Sequence, residues 1–294
     1  MTRSAELPRR YGRRMSIRFF DCHTHLFPEA RMGGLMRWIH RAVLEFDVPV
    51  DITADRAVAD LRAAGAVRWA NLLFPIGRDE ARGLHIWGRK LADRVPEITP
   101  FGGVHIEDPD PLTIVREAIE EFGMAGLKFH PMVQGFNPWH PDLASVLEYL
   151  DAAGIPIFVH TGYDEMYGHD YDRTGMEGML ARYPRMPVVL AHLGFPDLAW
   201  GFSVADRFPH VWLDMTNVPG SLQRTDQPER SLATLHAGLH RHRDRVLMGT
   251  DYPAGMGTLD QILGQFASVG IEEGTLEHML VRSTAVFFDR YGGP

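Results

Sequence analysis

The chain has 294 residues, of which 45% are hydrophobic and 23% charged, and its net charge is −8. This length suits one large domain, and the composition is typical of a globular enzyme with a sizeable core. The acidic balance argues against a nucleic-acid partner, and no apolar run reaches the eighteen or so residues of a membrane helix.

The two ends of the chain differ in character. Residues 1–16 are predicted to form a flexible basic tail, because arginines interrupt any apolar stretch that a secretory signal would need. The alternative for this tail is a phosphate-binding arm. Residues 17–294 are predicted to form a single domain. Cys22 is the only cysteine, so no intrachain disulfide can form and a cytoplasmic location is expected.

Short apolar runs alternate with longer amphipathic ones from end to end, which is the pattern of repeated strand–helix units. The predicted strands cover residues 17–21, 67–74, 99–104, 126–129, 155–159, 188–191, 211–214 and 246–248. The helices after them cover residues 55–64, 80–94, 111–122, 142–153, 175–182, 197–207 and 228–242, with two more near 259–267 and 272–288.

Eight such repeats predict a (β/α)8 barrel, the TIM barrel. The strands are nearly continuous in Val, Ile, Leu and Phe, which is typical of parallel strands covered on both faces. The alternative is an open doubly wound sheet. That fold favours a glycine-rich phosphate turn after an early strand, and the sequence has no such turn.

Three segments are longer than a bare barrel needs. The first strand–helix connection, residues 27–50, is extended and contains a predicted helix over 32–46. Loops at residues 134–140 and 163–174 are rich in aromatic residues and glycine. Loops after the strands line the active-site mouth of this fold, so these segments are expected to shape a pocket.

Four predicted strands end in histidine or aspartate. The first ends in the pair His23 and His25, which point the same way because residues two apart in a strand share a face. His160, His192 and Asp251 end the fifth, sixth and eighth strands. Each alone is more often a capped, solvated or turn residue. Together, at the face where barrel enzymes place their chemistry, they predict a divalent metal site.

The order of these motifs resembles that of the amidohydrolase superfamily. The residues within these motifs resemble those of the amidohydrolase-2 branch, which includes aminocarboxymuconate-semialdehyde decarboxylase and related hydrolases. The matching stretches are residues 21–25, 126–131, 156–162, 190–194 and 249–253. The chain departs from the branch at residues 283–285, Ser-Thr-Ala, where many relatives have an Asn-Ala pair.

The resemblance implies a mononuclear site. In it, His23, His25, His160 and Asp251 bind one divalent cation, and His192 is the catalytic histidine beside it. Asp251 is expected to act in proton transfer as well. Three imidazoles and a carboxylate suit Zn²⁺ well, and Mn²⁺, Fe²⁺ and Co²⁺ occupy similar sites.

Two further polar residues follow the fourth strand. Lys128 stands where binuclear relatives carry a carboxylated lysine that bridges two metals. Lys128 has three alternative roles. It is such a carbamate with a second metal, it contacts the substrate or a water molecule, or it is structural, with its aliphatic part buried and its amine reaching a polar surface. His130 is either a pocket residue or hydrogen-bonded within its loop. Asp21 is expected either to orient a ligand imidazole or to cap its strand.

The remaining pocket candidates lie in loops after the strands, and each has a packing alternative. They are Arg78, His105, Trp139, Tyr163, Tyr167 and Phe195.

The leading functional prediction is hydrolysis of a small ester, lactone or amide, carrying a carboxylate or an aromatic ring, by a metal-activated water. The alternative is non-oxidative decarboxylation of a small aromatic or muconate-like acid, and the shared scaffold does not decide between them. Some decarboxylases of the branch replace the first histidine of the pair by glutamate, and this chain keeps His23. A decarboxylase should place a cation near its metal, with Arg78 and Lys128 as the candidates.

A third alternative is an inactive barrel that only binds a ligand, but such a protein would usually have lost a metal ligand. A small-molecule substrate is the predicted partner, with a homodimer expected from the general frequency of dimers.

Overall fold

The computed structural model describes residues 18–42, 46–162, 167 and 172–292, and the predicted tail at residues 1–16 lies outside them. Eight parallel strands occur in this part of the chain, each at a predicted position. They are β1 Phe19–Thr24, β2 Ala66–Leu72, β3 Ile98–Phe101, β4 Leu127–Phe129, β5 Ile157–His160, β6 Val188–Ala191, β7 Val211–Asp214 and β8 Val246–Leu247.

The strands follow one another in chain order around a closed barrel. Strands β1 to β3 form one hydrogen-bonded run and β4 to β8 form another. Parallel bridges between Gly102 and Leu127 and between Thr24 and Tyr252 join the two runs at both edges. The chain therefore folds as the predicted (β/α)8 barrel.

Helices surround the barrel and also lie across its open end. They are α1 Glu29–Ala42, α2 Ala54–Ala64, α3 Ala81–Arg94, α4 Pro111–Arg116, α5 Pro131–Gln134, α6 Ala144–Ala153, α7 Arg173–Arg182, α8 Leu198–Arg207, α9 Val218–Ser221, α10 Pro228–His242, α11 Leu259–Ser268, α12 Glu273–Glu277 and α13 Thr284–Tyr291. Within the described ranges, none of these helices has the length and apolar character needed to cross a membrane.

The helix ends follow local sequence signals. The Thr53 side chain accepts a hydrogen bond from the Arg56 N–H at the start of α2, and Gly65 ends that helix with φ of 99°. At α11, Thr258 and Gln261 form a reciprocal capping box. Two predicted helices contain a π-helical segment, at Glu117–Glu121 and at His278–Ser283. The helix predicted over residues 32–46 begins earlier, as α1 Glu29–Ala42, and residues 43–45 of the predicted range lie outside the described residues.

The interior of the barrel changes from apolar to polar along the strands. Phe158 lies in the inner core and His160 follows it two residues later on β5. The same change occurs on β7, from Trp212 to Asp214. Phe287 of α13 packs against both aromatic rings, at centroid distances of 5.6 and 5.3 Å. The apolar end of the barrel is thus filled, and the polar side chains gather at the carboxyl ends of the strands.

Candidate metal centre

The two histidines at the end of β1 lie side by side inside the barrel mouth. A register shift against β2 occurs between Asp21 and Thr24, where the strand leaves regular pairing. The Nε2 atoms of His23 and His25 lie 3.1 Å apart, and both residues are buried. The local backbone therefore brings the two imidazole nitrogens to one point.

The protonation of these rings follows from their other contacts. His23 Nδ1 lies 2.6 Å from Asp214 Oδ2, and His25 Nδ1 lies 2.8 Å from the Leu72 carbonyl oxygen. A carboxylate and a carbonyl accept hydrogen bonds only, so each Nδ1 carries the proton. The lone pairs of the two Nε2 atoms then face each other, which is repulsive unless a cation binds them both. This donor set fits a metal ion.

Asp251 completes this group from the end of β8. Its Oδ1 lies 3.3 Å from His25 Nε2 and 3.6 Å from His23 Nε2. Its Oδ2 accepts a hydrogen bond of 2.7 Å from the Asn217 side chain. The Asp251 backbone N–H donates to the His23 carbonyl, and its φ of 61° is the left-handed conformation that L-residues rarely adopt. One carboxylate oxygen is therefore directed to the imidazoles and the other is occupied by an amide.

His192 and His160 lie on the other side of the group. One ligand atom each of His23, His192 and Asp251 lies within 4.8 Å of the others. His192 Nδ1 donates to the Thr216 carbonyl at 2.9 Å, which leaves its Nε2 unprotonated. The His160 ring lies 4.5 Å from the His192 ring, and its buried Nε2 has no hydrogen-bond partner among the described residues. All five predicted side chains therefore lie in one buried group.

Lys128 lies beside the same group. Its Nζ is 3.3 Å from His23 Nε2, and its side chain is fully buried. Burial lowers the pKa of the Lys128 ammonium to about 8, against the attraction of Asp251 and Asp214. His130 stacks on His160 with a centroid separation of 3.8 Å and lies 3.5 Å from the Tyr167 hydroxyl.

A set of carboxylates and hydroxyls supports the centre. Asp21 accepts hydrogen bonds from the His23 and Thr250 backbone N–H groups and from the Thr250 hydroxyl, so it holds the strand ends rather than an imidazole. Asp214 is the carboxylate that orients the His23 imidazole, and this residue was not predicted from the sequence. The available signal was the aspartate that ends the apolar run of β7, as Asp251 follows β8.

The electrostatics of the centre are dominated by burial. Burial raises the pKa of the carboxyl groups of Asp21 and Asp251 to about 7 and that of Asp214 to about 6. Burial also lowers the pKa of His192 to about 3. Desolvation disfavours the charged form of every one of these groups, and a bound dication would favour the ionised carboxylates and neutral imidazoles.

The centre opens into a cavity of about 820 Å³. Helix α1, which belongs to the extended first connection, forms one apolar wall through Leu35, Trp38 and Ile39. Phe195 also lines the cavity, as predicted for the loop after β6.

Several predicted pocket residues lie elsewhere. Arg78 pairs with Asp79 and its side chain is 59% exposed. His105 accepts a hydrogen bond within its own loop, and Trp139 donates one to Asp172. Tyr163 lies outside the described residues.

Two polar residues of note are among the cavity residues that were not anticipated from the sequence. Arg31 of α1 and Asn217 after β7 both line the cavity. Arg31 lies in a helical stretch without a recognisable motif, so no sequence signal pointed to it. Asn217 follows a strand by three residues, at the end of the barrel where the other site residues lie, and that position was a usable signal.

The sequence matches one family model, described as amidohydrolase, over residues 20–261. Among curated proteins, none matches the chain.

The fold is similar to several solved structures. An uncharacterised TIM-barrel protein from Bordetella bronchiseptica has a TM-score of 0.72 and 18% identity, covering 95% of this chain and 100% of that one. A 5-carboxyvanillate decarboxylase from Novosphingobium aromaticivorans, complexed with manganese, has a TM-score of 0.65 and 14% identity, covering 95% and 97%. A probable 2-pyrone-4,6-dicarboxylic acid hydrolase from Acinetobacter baumannii has a TM-score of 0.63 and 13% identity, covering 93% and 100%. At these identities the likeness shows the fold alone.

Proposed function

Because the chain belongs to the amidohydrolase family, a family of metal-dependent enzymes, we propose that it catalyses the non-oxidative decarboxylation of a small aromatic or conjugated carboxylic acid. The observation that carries the proposal is Lys128, a buried amine 3.3 Å from the metal-facing nitrogen of His23. A decarboxylase needs such a cation where the substrate carboxylate binds. The similarity to a 5-carboxyvanillate decarboxylase supports the same reaction class.

The proposed ligands of the metal are His23, His25, His160 and Asp251. We propose Zn²⁺ as the ion, and the manganese of the Novosphingobium enzyme makes Mn²⁺ the ion to compare with it. When bound, the dication would polarise the oxygens of the substrate carboxylate and of a neighbouring hydroxyl or carbonyl group.

The remaining steps of the reaction are assigned to side chains of the protein. The bond between the ring carbon and the carboxylate breaks, carbon dioxide leaves, and the electron pair stays on the ring carbon. His192 is proposed to deliver the proton that this carbon takes up. Its Nδ1 is held by the Thr216 carbonyl, so the unprotonated Nε2 would first accept a proton from the hydroxyl group of the substrate or from water and then pass it to the ring carbon. Lys128 would stabilise the negative charge of the bound acid. The apolar wall of α1 would keep bulk water from the site.

Hydrolysis of a small lactone, ester or amide is the second candidate. The similarity to a probable pyrone hydrolase supports it, and the retained His23 is compatible with it as well as with a decarboxylase that keeps the histidine pair. In that scheme a free oxygen of Asp251 would take the proton of the attacking water. The Asn217 amide already donates to Asp251 Oδ2 at 2.7 Å, so this oxygen is partly occupied before a water proton reaches it, and we place hydrolysis second.

A paired substrate panel tests the proposal. Protein loaded with Zn²⁺ or Mn²⁺ would be assayed for carbon dioxide release from hydroxybenzoic acids and for ring opening of matched lactones. We expect carbon dioxide from at least one acid, and none after Lys128→Met or in metal-free protein. Turnover confined to lactones or esters would reject decarboxylation in favour of hydrolysis.

A further inference from the structure

We propose that Arg31 forms an anion subsite in the cavity, separate from the metal centre, which binds an acidic group at the far end of the substrate. The inference deepens the proposed function and rests on it only in placing the substrate in this cavity. Arg31 would then select ring acids that carry a second anionic group over those that carry one.

The guanidinium of Arg31 lies against two aromatic rings. Its central carbon lies 5.4 Å from the ring centroid of Phe27 and 5.8 Å from that of Phe74. Such contacts stabilise the cation through the ring faces and leave N–H groups to bind other partners. The buried Nε of Arg31 has no hydrogen-bond partner among the described residues.

Glu80 is the acidic group that faces Arg31, and it compensates the charge incompletely. Its Oε1 lies 3.8 Å from Arg31 Nε, at the outer limit of an ion pair. Its Oε2 is held by a hydrogen bond of 2.6 Å from the Ile76 N–H. Burial lowers the pKa of Arg31, partly offset by Glu80, yet a guanidinium remains protonated at neutral pH. A second carboxylate bound by two N–H groups would satisfy the donors that Glu80 leaves unpaired.

Arg31 lines the same cavity as the metal centre and is separated from it by aromatic rings. Phe27 stacks nearly parallel to His25, with ring centroids 5.9 Å apart and planes 8° apart. Phe74 contacts the same imidazole at 5.4 Å. One aromatic layer therefore separates Arg31 from a proposed metal ligand. A ring whose first carboxylate binds at the metal centre would direct another substituent towards Arg31.

The charges around the cavity favour an anion at this end. Among the described lining residues, and histidines apart, the charged side chains are Arg31, Arg224 and the proposed metal ligand Asp251. At the end of the cavity formed by α1, the described lining places Arg31 in walls that are otherwise largely apolar. Such a cavity attracts an anionic substrate and disfavours a neutral one.

Binding calorimetry on metal-loaded protein tests the subsite without requiring turnover. The probes are benzoate, with one carboxylate, and benzene-1,3- and benzene-1,4-dicarboxylate, with two. We expect at least one dicarboxylate to bind roughly 10- to 100-fold more tightly than benzoate, the range for a charge-assisted pair. Arg31→Gln should remove that preference and change benzoate affinity by less than about threefold. Arg78→Gln, an exposed arginine outside the cavity, should leave it intact.

Glu80→Gln is the second variant, and it decides the outcome if Arg31→Gln does not fold. The glutamine side chain keeps an oxygen for the Ile76 N–H but no longer competes as an anion, so dicarboxylate affinity should rise several-fold. The proposal is overturned if wild-type protein shows no dicarboxylate preference, if Arg31→Gln retains one, or if Glu80→Gln leaves it unchanged. A preference that depends on Arg31 in protein that releases no carbon dioxide would reject the decarboxylase assignment and keep the subsite.

Discussion

Three imidazoles of the centre are each fixed at one nitrogen by a single acceptor. Asp214 holds His23, the Leu72 carbonyl holds His25, and the Thr216 carbonyl holds His192. Because each acceptor fixes the proton on Nδ1, each Nε2 is left to bind a cation or the substrate. The tautomers of these three histidines are thus set by acceptor groups that are not among the proposed metal ligands.

The separate roles proposed for His160 and His192 give a prediction at this scale. His160→Ala should remove most of the bound metal, because it deletes a ligand. His192→Asn should keep the metal and lower turnover about 100- to 10,000-fold, the usual contribution of an acid–base group. Metal content by elemental analysis and initial rates would measure both.

The opposite result has a structural explanation. If His192→Asn lost its metal and His160→Ala kept it, His192 would be the ligand, since it lies within 4.8 Å of His23 and Asp251. The assignment of the two roles would then be reversed.

Between elements, the site depends on close approach of β1, β7 and β8. Gly249 follows β8, and a Cβ there would overlap the Thr216 hydroxyl and lie 2.7 Å from His23 Cβ and 3.1 Å from Asp214 Oδ1. Gly249 is therefore required where three strands meet.

Gly249→Ala should lower the free energy of unfolding by about 1–3 kcal/mol, the usual cost of overpacking, and should weaken metal binding. Gly264→Ala is the matched control, because a Cβ at this position in α11 meets nothing within 4 Å. It should stabilise the protein by about 0.5–1 kcal/mol through helix propensity. Urea denaturation of both variants measures this, and equal stability would contradict the packing argument.

The packing of α3 against the barrel gives a prediction of pH dependence. His85 of α3 is buried, and burial lowers its pKa from 6.5 to about 4, partly offset by a hydrogen bond to the Gly103 carbonyl. As the pH falls, His85 therefore binds a proton in the unfolded chain before it does so in the folded protein. This contribution to stability is complete above pH 6.5 and is lost as the pH falls towards 4, by about 2 kcal/mol between pH 7 and pH 5.

Urea denaturation of metal-free protein at pH 7 and pH 5 would measure the effect. His85→Gln should be less stable at pH 7 but should lose about 2 kcal/mol less than wild type on acidification. Equal losses in the two proteins would show that His85 does not titrate in this range on unfolding.

For the whole molecule, the metal is expected to contribute to stability. Binding to the folded state alone stabilises it by about 2.7 kcal/mol at a free concentration of 100 Kd. We therefore expect chelation to lower the melting temperature by several degrees, and Zn²⁺ or Mn²⁺ to restore it.

Stoichiometry tests the mononuclear site independently. We expect about one metal ion per chain by elemental analysis. About two per chain, with loss of the second in Lys128→Met, would instead indicate a carboxylated lysine between two ions.

The sequence by itself determined the barrel and most of the centre. Apolar runs identified all eight strands, since parallel strands covered on both faces are apolar along their length. His23, His160 and Asp251 lie at strand ends, and the carboxyl ends of barrel strands meet at one face whatever the loops do. The positions of these residues at strand ends were therefore sufficient to predict that they lie together.

The tertiary structure decided which other side chains reach the site. The pairing of Asp214 with His23 joins residues 191 positions apart, and no local pattern encodes it. Arg31 lines the cavity because α1 lies at the barrel mouth, whereas Arg78 lies outside it beside Asp79. Strand ends are fixed by the barrel, but the path of a long connection depends on packing between distant segments, which a single sequence does not reveal.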